Sequence, residues 1–369
     1  MAGPPEGASS RVAAALAAAT AEGYEVEGID VDLSAEAAGS QIRRSDLAVV
    51  PNHAVPRLST SGVIRPLPKA WTTVDDWLPA IAASLIRGPD GLDAMPLAVR
   101  QLGLWRDPAA SDDDGGVDDW EAYDRFATET GGRVAEPTAA GWAAWSFLNR
   151  LPSASTTWLF GRQSFRPNID AAFARDALTL MMRTVQRRSG PPMDSDAVLD
   201  HIVDGTLVAG VAEMAPPDPP AGLVVEPLPS AVDGGGVLVD PAAPSIVLPT
   251  GCRQTARAKG LARWWVGIRD DEDAGGDGFG SGRKWRQPLI RSTGGSAGPS
   301  PLTESLRTPV VRPTLRIVRG DEYYNALDEE IRVSLHEGRS AEDSLSAVAD
   351  RWRSLTQRTG ASVQLRHWR

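Results

Sequence analysis

Short apolar runs alternate with stretches of helical spacing along this chain, and that alternation restricts the fold more than any other feature. Tyr24 to Asp32 alternates apolar residues with charged or small ones, the period of a half-buried strand. Asp46-Leu47-Ala48-Val49-Val50-Pro51 is an apolar run stopped by proline, which predicts a buried parallel strand ending at a loop. An alanine-rich helix capped by Ser9 or Ser10 is predicted over residues 9–21, and a second helix over Thr73–Ile86. Strands are predicted over Ala94–Val99 and Leu102–Trp105. Strand and helix in alternation mark an α/β layer built on a parallel sheet.

At about 100–200 residues per domain, a chain of 369 residues makes two domains or one large one. The composition changes near residue 108. Asp107 to Asp124 is rich in acidic residues and holds no basic one. Its first part, through Gly115-Gly116, reads as a linker or exposed loop. Asp118-Asp119-Trp120 starts a helix that continues through Tyr123 and Phe126, where acidic residues suit the helix dipole. Further helices are predicted over 141–151, over 169–187 up to the break at Gly190-Pro191-Pro192, and over Val198–Asp204. Thr206–Met214 reads as a buried strand and Ala215–Ala221 as a proline-rich loop. Val237–Val239 and Ser245–Pro249 are strand candidates, and Ala256–Ile268 is a helix with Leu261, Trp264, Trp265 and Ile268 in register. Gly-rich loops follow at Asp270–Gly282 and Gly294–Pro301. Two helices close the chain, one carrying Tyr324, Leu327, Ile331 and Leu335, the other Leu345, Val348, Trp352 and Leu355.

Several chemistries fail on spacing. A net charge of −10 argues against sequence-independent nucleic-acid binding, which needs a basic surface. No run is long and apolar enough for a transmembrane helix. The single cysteine, Cys252, excludes an internal disulfide and any multi-cysteine metal site. No other metal site and no cofactor is indicated. Gly275 to Lys284 is Gly-rich but lacks the Gly-Lys-Ser/Thr order of a phosphate loop. A calcium loop counted from Asp271 reaches Gly282 where a bidentate Glu is required. There is no nucleophile elbow and no zinc-protease helix, and Cys252 has no recognisable histidine context. Paired carboxylates for glycoside hydrolysis stay open, because their separation is spatial. The chain holds twelve tryptophans. Trp264, Trp265 and Trp352 sit at helical core spacing. Trp105 ends a strand and Trp142 starts a helix, where crevices open, and these two are the better candidates for stacking a ring.

The order of elements resembles the extracellular solute-binding proteins of ABC importers, of the sugar-binding type related to maltose-binding protein. Asp46–Pro51 followed by Gly62-Val63-Ile64 and Pro66-Leu67 is similar to that family's early strand, helix and turn. Ala94-Met95-Pro96-Leu97 with Leu102-Gly103-Leu104-Trp105 resembles the strands that cross toward the second lobe, and Asp119-Trp120 the start of that lobe. Ile202–Thr206 into Val208–Ala212, Pro227-Leu228-Pro229, Lys259–Ile268 and Tyr323-Tyr324 resemble later elements in the same order. Glu213-Met214 stands where the family has Gly-Trp.

The resemblance implies two α/β lobes, a periplasmic-binding-protein-like fold with a hinge and an interlobe cleft. Lobe 1 would comprise residues 1–107 and 244–308, and lobe 2 residues 108–243 and 309–369. It implies a monomer that binds a small solute, a sugar above all, presents it to a membrane permease and works outside the cytoplasm, although residues 1–10 lack the order of an export signal. The expected ligand contacts are Pro51, Asn52, Trp105, Trp142, Glu213 and Met214, with no catalytic residue. The rival readings are a carbohydrate hydrolase using two carboxylates and a binding-protein fold turned to protein interaction.

Overall fold

The computed structural model describes residues 19–20, 37–68, 71, 86–88, 91–97, 101–108, 117–154, 159–161, 163–214, 222–230, 237–238, 244–265, 311–312 and 315–368. Of the first predicted helix only Ala19 and Thr20 are included, and they are helical. The predicted strand Tyr24–Asp32, nearly all of the helix Thr73–Ile86, most of the acidic linker, the loop Ala215–Ala221 and the two Gly-rich loops lie outside the described residues.

Helix α1 (Ala38–Arg44) leads to β1 (Ala48–Pro51). A 3-10 turn, Asn52–Ala54, follows, and then α2 (Val55–Thr60). Pro56 lies in the first turn of α2, where its missing N–H would have had no partner anyway. Then come β2 (Ile64–Arg65), β3 (Ile86–Gly88), β4 (Gly91–Pro96) and β5 (Leu102–Arg106). Asp119 caps α3 (Trp120–Glu129), its Oδ1 accepting from the Ala122 amide at 2.6 Å. Next are β6 (Val134–Ala135), α4 (Ala143–Ala154) and α5 (Ala172–Gln186). Asp194 caps α6 (Ser195–Val203), accepting from Ala197 at 2.8 Å. Helix α6 therefore starts three residues before the spacing of Val198 suggests. After it come β7 (Ala209–Glu213), β8 (Val224–Glu226), β9 (Val237–Leu238), β10 (Pro244–Pro249), α7 (Thr255–Trp265) and β11 (Val311–Arg312). The chain closes with α8 (Gly320–Glu337), α9 (Ala341–Thr359) and a third helix, α10 (Ala361–Trp368), which sequence periodicity does not separate from α9. The break is Gly360, whose φ is 90°.

Two sheets centre two lobes. The first has the order β1-β10-β4-β3, with β2 also on β10; the second has the order β6-β7-β5-β8. The expectation that β1 is a parallel strand is corrected here. It runs antiparallel to β10, with Ala48 opposite Val247 and Pro51 opposite Pro244. The apolar run also overstates burial: of β1 only Val50 is buried, while its partner β10 is buried along its whole length, and apolar composition does not encode strand direction. Among the described strands only β6 with β7 and β9 with β11 pair in parallel.

The chain passes from the first sheet to the second between Leu97 and Gln101 and, after β8, returns between Glu226 and Pro244. The Leu97 amide donates to Pro244 at 2.9 Å, and the Met214 amide to Gln101 at 2.8 Å. Ile42, Val50, Val55, Leu58, Ile64 and Val247 form the core beside the first sheet. The larger core joins β5 and β7 to α3, α4, α5, α8 and α9. Within it Phe160 stacks on Phe165 with centroids 4.1 Å apart and on Trp352 at 5.0 Å, while Trp368 meets Phe160 edge-on at 5.2 Å.

Candidate ligand site

The six expected contacts fall into three groups. Pro51 ends β1 and Asn52 opens the 3-10 turn, at the kind of strand end where α/β folds place ligands. Asn52 is buried, and its Oδ1 accepts from the Ser245 hydroxyl on β10. That bond leaves the carboxamide N–H2 as the donor this turn can offer.

Trp105, Glu213 and Met214 form the second group, on β5 and the end of β7. The Trp105 ring packs among Ala135, Val198, Leu199, Ile202 and Leu207, and its Nε1 donates to the Glu213 carbonyl at 2.9 Å. The Glu213 amide donates to the Ser195 hydroxyl at 2.8 Å. Met214 lies over Gly103: a Cβ at Gly103 would come within 2.6 Å of the Met214 Cγ.

Trp142 lies in the turn that begins α4. It is 7% exposed and tilted against Trp145 at 5.4 Å. The turn is held from α8. Asp328 accepts from the Gly141 amide at 2.9 Å and the Ala144 amide at 3.0 Å, and the Tyr324 hydroxyl donates to the Gly141 carbonyl at 2.9 Å. The start of α8 in turn abuts the first group, since a Cβ at Gly320 would sit 3.5 Å from the Cβ of His53.

One ion pair of the second lobe is fully buried. Glu136 and Arg150 form an ion pair whose side chains are each 1% exposed, and the Arg150 guanidinium lies 3.9 Å from the centre of the Trp120 ring. Tyr123 donates to the Ala135 carbonyl at 3.1 Å; burial, helped by Glu136, pushes its phenol well above the usual range. Burial raises the Asp328 carboxyl, opposed by the Gly141 and Ala144 amides and by Arg332. A cavity of about 160 Å³ opens beside Tyr123, Glu136, Thr138, Thr184, Arg188 and His336. None of the six expected residues lines it. Burial and the neighbouring Arg332 and Arg188 lower the His336 imidazole, against a hydrogen bond to the Thr138 backbone. The only sequence cue to this cluster is that Glu136-Pro137-Thr138 follows directly on a strand.

Among the described residues no group of three or more His, Cys, Asp or Glu side chains could hold a metal ion. Cys252 is buried, with its Sγ 4.0 Å from the Thr255 hydroxyl. No helix of the described residues is long and apolar enough to cross a membrane.

No protein-family model and no curated protein sequence matches this chain. Solved structures do match it. The GacH receptor of Streptomyces glaucescens, known unliganded and in complex with acarbose, aligns with a TM-score of 0.67 at 15% identity, over 96% of each chain. The cyclic α-maltosyl-1,6-maltose binding protein of Arthrobacter globiformis aligns with a TM-score of 0.68 at 16% identity, over 96% of this chain and 97% of its own. A cyclo/maltodextrin-binding protein in complex with maltotetraose aligns at 0.62 and 13% identity, over 95% and 94%. The chain has the sugar-binding-protein fold. All three neighbours are binding proteins rather than enzymes. In this fold the likeness runs the length of the molecule while five residues in six differ, so the architecture is shared and the site must be read from this chain's own side chains.

Proposed function

We propose that the protein binds a carbohydrate between its two lobes and delivers it to an ABC-importer permease, outside the cytoplasm and without making or breaking a bond. The observation that carries this reading is the match of nearly the whole chain, not one lobe, to three proteins whose ligands are malto-oligosaccharides or acarbose. In this proposal lobe 1 is residues 1–107 and 244–308, lobe 2 is residues 108–243 and 309–369, and the crossings between Leu97 and Gln101 and between Glu226 and Pro244 form part of the hinge.

The Asn52 amide and Glu213 hydrogen-bond sugar hydroxyls. Trp142 offers the ring on which a pyranose stacks, Pro51 and Met214 wall the site, and Trp105 holds the Glu213 carbonyl in place. Sugar touching both lobes favours the closed arrangement by its differential affinity for it, and the closed form is what a permease recognises.

The test is a thermal-shift titration with maltose, maltotetraose and acarbose, set against amino acids and polyamines. A ligand at about 100 times its Kd adds about 2.7 kcal/mol to native stability, a rise of several degrees for a chain of this size. A saturable shift confined to sugars is the expected result. A shift with amino acids alone, or hydrolysis of the oligosaccharide during the titration, would overturn it.

A further inference from the structure

The residue preceding α4, in the N-cap position, is Trp142. An N-cap is ordinarily Ser, Thr, Asp or Asn, whose oxygen satisfies an unpaired amide of the first turn. Tryptophan cannot do this. The missing cap arrives from another helix: Asp328, midway along α8, accepts from Ala144 with one oxygen and from Gly141 with the other. Gly141 is left-handed at φ 86°, and both of its backbone groups are engaged by α8, the amide by Asp328 and the carbonyl by Tyr324. The two peptide planes flanking Gly141 are therefore fixed, and the second is the plane from which Trp142 springs. The Trp142 amide closes the turn on Ala139 at 2.9 Å.

Burying a carboxylate to 6% exposure is costly unless it is bonded and near positive charge. Here two amides, the N-terminal end of α4 and Arg332 offset that cost. An aspartate at position 142 would cap the helix with none of it. What the borrowed cap achieves is to release the N-cap position for an aromatic side chain in one orientation.

We infer that Asp328 is a positioning residue of the ligand site, acting through the Gly141–Ala144 turn to present Trp142 to a sugar ring. The inference rests on the proposed sugar-binding function, and Tyr324 is the second arm of the same device.

The test is a double-mutant cycle on the affinity for maltotetraose, measured by isothermal titration with the full chain as wild type, Asp328→Asn, Trp142→Ala and the double variant. Asp328→Asn should weaken binding about ten-fold, and the double variant should bind within about two-fold of Trp142→Ala alone, because the first change has nothing left to act through. A cap that only holds α4 together gives factors that multiply, and that result overturns the inference, as does wild-type affinity in Asp328→Asn. If Asp328→Asn does not fold, Tyr324→Phe removes one hydroxyl and enters the same cycle. Should the wild type bind no sugar, the proposed function fails and the inference is judged without ligand, on the indole N–H resonance of Trp142 assigned with Trp142→Phe. Asp328→Asn or Tyr324→Phe should split or broaden that resonance while Trp145 keeps its own. An unchanged Trp142 signal in both variants overturns the positioning role.

Discussion

The indole nitrogen of Trp105 reaches the backbone carbonyl of Glu213 at 2.9 Å, three residues beyond its own register partner, Gly210. One side chain thereby fastens the last residue of β7 to the strand beside it. Trp105→Phe keeps an aromatic ring and loses this donor. It should cost about 1–3 kcal/mol, the penalty for a buried acceptor left without its partner. The melting temperature should fall by several degrees; an unchanged melting curve would show that the bond contributes nothing.

Glu136 and Arg150 are both hidden from solvent, and each is the other's compensation. Arg150→Met leaves a carboxylate buried against Tyr123 and should cost about 3–5 kcal/mol. Adding Glu136→Leu should recover most of that loss, because the uncompensated charge goes with it. Urea midpoints of the two variants check the order; a double variant less stable than the single one contradicts it.

Acid stability should depend on Asp124. Burial pushes its carboxyl up, but hydrogen bonds from Arg187, Thr184 and Arg183 outweigh that and hold it below the ordinary value of 3.8. A lowered native pKa means that the unfolded chain takes up the proton first. The stabilisation is thus complete well above the ordinary value and is lost as pH falls through the native one. Asp124→Asn should melt lower than wild type at pH 7, with the two curves drawing together as pH falls below the ordinary carboxylate range. A gap that stays constant over that fall rules out the ionised carboxylate as its source.

Gly103 gives a prediction that joins stability to binding. A methyl group there would meet the Met214 Cγ at 2.6 Å and the Glu226 carbonyl at 2.9 Å. The methionine can turn aside; the carbonyl is backbone. Gly103→Ala should cost about 1–3 kcal/mol and displace Met214, so that sugar affinity falls more than in a surface control. Retained affinity would take Met214 out of the site.

What could be read from residues in advance was whatever depends on near neighbours. Asp119 before Trp120 announces α3 and does cap it, and the apolar stretches Leu102–Trp105 and Thr206–Met214 mark two strands that prove to be partners. The direction of β1 could not be read, because its partner Pro244–Pro249 lies almost two hundred residues away and a short apolar run carries no sign of which way its neighbour runs. The same holds at the site. Asn52 and Glu213 are legible as strand ends, and Trp142 as a residue at a helix start. Asp328 is not legible: on α8 it is one acidic residue among several, and only the fold brings it to amides 184 and 187 residues earlier. The pairing of Glu136 with Arg150 is closer in sequence but spans a turn and a helix that no periodicity relates.

The aromatic cluster of Phe160, Phe165, Trp352 and Trp368 also bears on the order in which the molecule can be made. A ribosome delivers Phe160 some two hundred residues before it delivers Trp368, at about 5–20 residues per second. For ten seconds or more the emerging chain therefore holds Phe160 and Phe165 without the rings that will cover them. The second lobe cannot complete its core until α10 has been made.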